Sequence, residues 1–289
     1  MDMSHMSLNK IGRRFQVEKK LGEGGFGEVY AAEDEVTKSM VAVKIDWYPG
    51  QLELLEEAAT YKKLEGVEGV PRLLATGLHW GKNYMAMELL GKDLYDISKN
   101  DLTEKDVLLI AYKSISILQR IHQRGIIHRD LKPENLMIGS HNKNQLYIVD
   151  FGIAKSYLNE NGEHEDSSNA QPCGTPSYAS LNCHAGKSQS RADDMESLAY
   201  VLLFLLQRSL PWQVEGGYAN TFKSYYPKKA SLTAKELFHG HSPAFARYLN
   251  YTRNLTFKEE PDYAYMTGLF EDELKRLGSN VDDSFDFSK

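Results

Sequence analysis

Basic residues do not dominate this chain, cysteine is nearly missing, and no apolar stretch is long enough to span a bilayer. The 34 Lys and Arg are outnumbered by 40 Asp and Glu, leaving a net charge of −6 over 289 residues. That balance gives no electrostatic footprint for nucleic acid or for an anionic membrane surface, so neither partner is expected. The two cysteines, Cys173 and Cys183, stand neither in a CxxC nor within a larger Cys/His set, which argues against a disulfide framework and a zinc site and suits a reducing compartment, cytoplasmic or nuclear. The longest apolar run, Leu198 to Leu206, is far shorter than the roughly 20 residues of a membrane helix and reads as a buried one. Met1 to Lys10 is polar, so no targeting signal is expected there, and Ser4-His5-Met6 has the look of an expression-vector remnant. Repeats and low-complexity segments are absent. Locally, positive charge disappears altogether: from Ser156 to Gly186 there is no Lys or Arg, while Glu160, Glu163, Glu165 and Asp166 are present.

What is there exceeds the usual size of one hydrophobic core, and two lobes are expected. Phe15 to Asp46 is strand-like in three runs, and Arg72 to Trp80 and Asn83 to Leu90 read as two more strands, a five-strand antiparallel sheet in all. Between them Gln51 to Leu64 is helical, with Leu52, Leu55, Ala59 and Leu64 toward its apolar side. After Gly91 helices take over. Thr103, with Asp106 three residues on, is the expected N-cap of a helix to about Arg124; Ser190 to Gln207 is the buried central helix; Ser242-Pro243 and Pro261-Asp262 look like two further helix starts. The fold class is therefore α+β: a short N-terminal segment (1–14), a small antiparallel β-sheet lobe with one helix (15–87), a hinge (88–91) and a larger, mainly helical lobe (92–289).

The chemistry is concentrated in His128-Arg129-Asp130-Leu131-Lys132-Pro133-Glu134-Asn135, followed by Asp150-Phe151-Gly152. A carboxylate, an ammonium and an amide at these offsets, with a second carboxylate downstream, read as a phosphoryl-transfer site. Asp130 suits the base that takes a hydroxyl proton, Asn135 and Asp150 the Mg²⁺ ligands, and Lys132 a point charge where negative charge develops. Upstream, Gly22-Glu23-Gly24-Gly25-Phe26-Gly27-Glu28-Val29 fits G-x-G-x-x-G-x-V. The same glycine spacing occurs in dinucleotide folds, but there a helix must follow, whereas here the sequence continues β-rich into Val41-Ala42-Val43-Lys44. The glycines would let backbone close over phosphates, and Lys44 would hold them. Its carboxylate partner must be one of Glu53, Glu56 or Glu57.

With these elements in order, the chain resembles a eukaryotic-type protein kinase from about Phe15 onward. Within that superfamily it is most similar to casein kinase 1, through Met87-Glu88-Leu89-Leu90-Gly91, Gly174-Thr175-Pro176-Ser177-Tyr178-Ala179-Ser180-Leu181-Asn182, Arg191-Ala192-Asp193-Asp194-Met195-Glu196-Ser197-Leu198, Leu210-Pro211-Trp212 and Lys258-Glu259-Glu260-Pro261-Asp262-Tyr263. The resemblance implies an ATP- and Mg²⁺-dependent transfer to Ser/Thr hydroxyls of protein substrates by a monomeric enzyme. Tyr61-Lys62 points to Glu57 as the partner of Lys44. Met87 matches the gatekeeper, Glu88 and Leu90 the backbone contacts to adenine, and Val29, Ala42 and Met137 the residues around the ring, with Leu21, Gly22, Gly24 and Gly27 completing the nucleotide set. Thr175 would brace Asp130 and Lys132, and Asp194 would anchor the catalytic loop.

Departures from the pattern carry information too. Ala199 and Gly25 replace residues of no charge or ligand role. Ala170 and Ser177 stand where relatives carry basic residues that hold phosphorylated or acidic substrate positions, and only Arg129, Lys155, Lys228 and Lys229 remain to oppose the four acids of the segment, so a weakened preference for primed substrates is expected. Arg129 and Lys155 could form an anion site for a phosphorylated Ser167 or Ser168, but the resemblance implies activity without such a phosphate. Two rival readings are a pseudokinase scaffold that acts by binding and a small-molecule phosphotransferase.

Overall fold

The computed structural model describes residues 9–25, 27–100, 102–213 and 221–287. The N-terminal stretch through residue 8, with Ser4-His5-Met6, and Phe26 of the glycine-rich loop lie outside the described residues. The chain forms two compact units. The first holds the chain up to Gly66, then Val70–Gly91 and Asp150–Gly152; the second holds Val67–Gly69, Lys92–Val149 and the chain from Ile153 onward.

The first unit contains β1 (Lys10–Ile11), β2 (Phe15–Gly24), β3 (Gly27–Asp34), β4 (Met40–Asp46), α1 (Glu53–Lys63), β5 (Leu73–His79) and β6 (Lys82–Glu88). Its sheet is antiparallel with order β1-β2-β3-β4-β6-β5, six strands where five are expected from sequence. The extra strand, β1, is only two residues long, too short to leave a periodic signal, yet Ile11 pairs with Phe15 and is fully buried. Val41, Val43 and Ile45 pack with Ile11, Phe15 and Tyr84 on one face. Alternation then fixes the other face. Val29 stands opposite Lys44, and Ala42 opposite Ala31 and Met87, so Val29, Ala42, Lys44 and Met87 project from the same side of the sheet.

Helix α1 is turned differently from the apolar stripe expected. Leu52 and Leu55 are exposed, as is Ala59, while Leu54, Glu57, Ala58 and Tyr61 are buried. The spacing i, i+3, i+4, i+7 is still that of one helix face. A buried glutamate within it is what disguised the stripe.

Strand β7 (Leu90–Asp93) leads into the second unit, which contains α2 (Leu94–Ser98), α3 (Glu104–Gln123), β8 (Ile126–Ile127), β9 (Leu136–Gly139), β10 (Leu146–Ile148), β11 (Lys155–Ser156), α4 (Leu181–His184), α5 (Arg191–Gln207), α6 (Phe222–Ser231), α7 (Ala234–Leu237), α8 (Pro243–Asn254) and α9 (Tyr263–Arg276). At the start of α3 the Asp106 amide donates to the Thr103 hydroxyl and the Thr103 amide to the Asp106 carboxylate, a closed capping box. Gly125, at φ +75°, ends the turn after it. Every residue of α5 from Ala192 to Leu205 is buried, because α3 and α8 pack against it. Among the described residues no helix is long and apolar enough to cross a membrane.

Candidate active site

Lys44 on β4 and Glu57 on α1 meet inside the first unit, Nζ to Oε2 2.7 Å, with side chains 11% and 2% exposed. Asp150 joins them, its Oδ1 3.2 Å from the same Nζ. Burial opposes the charge on Lys44, but Glu57 and Asp150 outweigh it and hold its pKa above the usual lysine value. Burial likewise pushes the Glu57 carboxyl up, to about 7, against the pull of Lys44. Glu53 and Glu56 are exposed, so of the three candidates only Glu57 is in contact with Lys44. The Asp150 amide donates to the Tyr61 hydroxyl at 3.1 Å, and the Tyr61 ring meets Phe151 edge-on at 5.1 Å. Asp150 has φ +67°, a conformation uncommon for a non-glycine residue, and these contacts help to hold it there.

The glycines of the β2–β3 turn divide by physical reason. A Cβ on Gly27 would lie 2.1 Å from the Ile45 carbonyl oxygen, so packing alone demands glycine there. At Gly22 and Gly24 a Cβ would meet nothing, so what those glycines leave open is access to their own backbone. Leu21, on the same strand, is 46% exposed. Glu88 ends β6 and Leu90 begins β7, whereas Met137 lies on β9 of the second unit.

The second unit holds the remaining candidates. The Asp130 carboxylate accepts the Thr175 hydroxyl on Oδ1 at 2.7 Å and the Lys132 ammonium on Oδ2 at 3.1 Å. The Asn135 amide nitrogen donates to the Asp130 carbonyl at 2.9 Å, which directs its own carbonyl oxygen elsewhere. The backbone here is strained at Arg129, φ +68°, and one buried carboxylate holds it: Asp194 on α5 accepts the amides of His128 at 2.8 Å and Arg129 at 2.9 Å. Asp194 also accepts His122 Nε2 at 2.9 Å, and the other nitrogen of that ring meets the Tyr263 hydroxyl. Burial would raise the Asp194 pKa, but the donors, His122 first, bring it below the usual carboxylate value. His128 Nδ1 accepts the Asp130 amide, so Nε2 carries the proton donated to the Val149 carbonyl.

The segment between Asp150 and α4 differs in two ways from its reading in sequence. Lys229 looks available to face an anionic peptide, but it is fully buried, and its ammonium donates to the carbonyls of Pro176, Ser177 and Ala179 beneath the Tyr200 and Trp212 rings. Burial draws its pKa down to about 7. Conversely Lys187, one residue beyond the stretch devoid of basic residues, lines a cavity of about 60 Å³ with Arg129 and Lys155. The strand-like bridge between Asn169 and Lys187 brings it there, a long-range pairing that no local signal reveals. Two of the four acids are already neutralised, Glu165 by Lys155 at 2.6 Å and Asp166 by Lys258 at 2.5 Å.

Among the described residues no cluster of three or more His, Cys, Asp or Glu is arranged to hold a metal by itself. Compared with known protein families, residues 15–247 match the model of the protein kinase domain.

Proposed function

The chain belongs to the protein kinase domain family, and from that premise we propose that it is an active serine/threonine protein kinase of the casein kinase 1 type. The observation that carries the reading is the Asp130 carboxylate, held by Thr175 on one oxygen and Lys132 on the other. A carboxylate fixed in this way can orient a serine or threonine hydroxyl and take its proton, while Lys132 opposes charge developing on the transferred group. In the first unit Lys44, kept charged by Glu57, would hold the α- and β-phosphates of ATP, and the open backbone at Gly22 and Gly24 would let its amides approach them. Following the resemblance, Asp150 of the first unit and the Asn135 carbonyl oxygen of the second are each a hard oxygen donor of the kind that would hold Mg²⁺, which when bound would neutralise phosphate charge. Val29, Ala42 and Met87, on the face of the sheet that carries Lys44, would form an apolar bed for the adenine ring; by the resemblance alone, Leu21 and, from the second unit, Met137 would add apolar contacts, and the backbone of Glu88 and Leu90 would take its polar edge.

Serine/threonine specificity follows from Lys132 with Pro133-Glu134, and the casein kinase 1 type from the Gly174 to Asn182 and Arg191 to Leu198 stretches. Preference for primed substrates is weak on this reading, because Ala170 and Ser177 are neutral, Lys155 is engaged by Glu165, and Lys229 is buried. The pseudokinase reading is disfavoured because Lys44, Glu57, Asp130, Lys132, Asn135 and Asp150 are all retained. Incubation with Mg-ATP, casein and a small alcohol tests the proposal: phosphate should appear on serine or threonine of casein and not on the alcohol, and Asp130→Asn should abolish it. Tight Mg-ATP binding without transfer by the unmodified chain would make it a scaffold instead.

A further inference from the structure

The two cysteines, ten residues apart in sequence, come together in the second unit. The Gln189 side-chain nitrogen donates to both sulfurs, at 3.2 Å to Cys173 and 3.3 Å to Cys183, and the Cys183 thiol points to the Cys173 carbonyl at 3.3 Å. Cys183 is buried on α4, while Cys173 is half-buried and lines the same cavity as Arg129, Lys155 and Lys187. The two therefore differ in role. The interaction of its sulfur with the neighbouring Cys183 thiol, with Arg129 adding to it, lowers the Cys173 thiol to about 6 against the effect of burial, whereas Cys183 is held well above the usual thiol range. An accessible thiolate beside a cavity large enough for a peroxide, next to a buried protonated thiol, is the arrangement of an attacking and a resolving cysteine.

Cys173 is also mechanically close to the site. Gly174, at φ +85°, presses so tightly on the catalytic loop that a Cβ there would lie 2.5 Å from the Arg129 carbonyl oxygen and 3.2 Å from Asp130 Oδ1. Thr175, the next residue, makes the 2.7 Å hydrogen bond to Asp130. A displacement of Cys173 toward α4 therefore acts on the two residues packed against and bonded to the loop, Gly174 and Thr175.

We propose that Cys173 and Cys183 are a peroxide-responsive thiol pair that closes an intramolecular disulfide and, by drawing Gly174 and Thr175 away, releases the Asp130 carboxylate. In the first step the Cys173 thiolate attacks a peroxide oxygen; the S–O bond forms, the O–O bond breaks, and hydroxide leaves, so that sulfur is oxidised and peroxide reduced. In the second the Cys183 sulfur attacks the Cys173 sulfenic acid; the S–S bond forms, the S–O bond breaks, and the hydroxyl leaves as water with the proton of Cys183. The pairing of the two thiols stands on their geometry about Gln189 and on the cavity that Cys173 lines, while its effect on activity rests on the proposed role of Asp130.

The test treats the reduced full chain with hydrogen peroxide and reads two quantities, non-reducing peptide mapping and phosphorylation of casein. A Cys173–Cys183 linked peptide should appear, with activity falling at least tenfold and returning on dithiothreitol. Cys183→Ala should form no link and instead leave a sulfenic acid at Cys173 that dimedone captures, and Cys173→Ser should leave activity insensitive to peroxide. Two thiols still open to alkylation after excess peroxide would overturn the proposal, and a linked peptide without loss of activity would overturn its coupling to Thr175. A linked peptide in a chain that never phosphorylates casein would instead count against the kinase reading, and with it the Asp130 half.

Discussion

Replacing Glu57 by Gln isolates a charge while keeping shape, and the structure sets the size of the effect. The glutamine oxygen can still accept from Lys44, so what is lost is the difference between a charge-assisted hydrogen bond and a neutral one, about 1–2 kcal/mol. To this is added the cost of leaving an ammonium only 11% exposed with Asp150, at 3.2 Å, as its remaining carboxylate. A total of about 2–3 kcal/mol corresponds to a fall of about 30- to 150-fold in kcat/KM for Mg-ATP. Glu53→Gln and Glu56→Gln, at exposed positions, should stay within about 0.5 kcal/mol of the parent, or roughly twofold. The pH profile adds an independent check. Because the Glu57 carboxyl is raised to about 7, the ion pair is complete only above that pH, so kcat/KM should rise through about pH 7 in the parent. The acid limb should vanish in Glu57→Gln. Stability runs the other way: with the folded value above the ordinary 4.5, the contribution of this group is full below 4.5 and is lost as pH rises through about 7. Steady-state kinetics on the three variants, with thermal unfolding as a fold control, decide the matter. A Glu57→Gln enzyme within threefold of the parent, or one that keeps the acid limb, would refute the reasoning.

Three further outcomes are expected. Asp130→Asn should bind Mg-ATP nearly as the parent does while turnover falls by orders of magnitude, whereas Asp150→Asn should also weaken metal-dependent nucleotide binding; equal affinity loss in titrations of both would contradict their separate roles. The ratio of kcat/KM for a phospho-primed peptide over its unphosphorylated form should be within about tenfold, under about 1.4 kcal/mol, and Lys187→Ala should lower it further; a ratio well above tenfold that collapses with salt would mean that Arg129, Lys155 and Lys187 form a full anion subsite. Protein treated with phosphatase and then freed of it should keep most of its activity, since Lys155 is already paired with Glu165; near-total loss restored by one phosphoserine would overturn this.

Sequence spoke most clearly where chemistry is local. Thr103 with Asp106 and Ser190 with Asp193 close capping boxes that a reader of spacing can anticipate, and Ser242-Pro243 starts α8 with a capping hydroxyl and a proline in the first turn. It spoke least where distant segments meet. Helix α6 carries Pro227 in its interior, a residue that argues against helix, and its four-residue follower α7 is too short for periodicity to register. Lys187 and Lys229 look alike as exposed cations on paper; one reaches the cavity beside Arg129 through a bridge to Asn169, while the other is taken into the core by three carbonyls. Glu57 was distinguishable from Glu53 and Glu56 only by resemblance, because a buried ion pair erases the polar-out rule that a helical pattern relies on.

Asp194 makes the length of the loop from His128 to Asn135 a property of the core. Its two oxygens address two consecutive amides, those of Arg129 and His128, from a helix that is buried along nearly its whole length. Side chains at the rim of this loop can therefore drift without moving the backbone. A single inserted or deleted residue, however, would present the wrong amides to the carboxylate and swing Asp130 off its mark, however conservative its chemistry. The same tie sets a clock: the amide hydrogens of His128 and Arg129 should exchange with solvent only when α5 itself unpacks, so a segment proposed to meet substrate keeps the time of the protein interior.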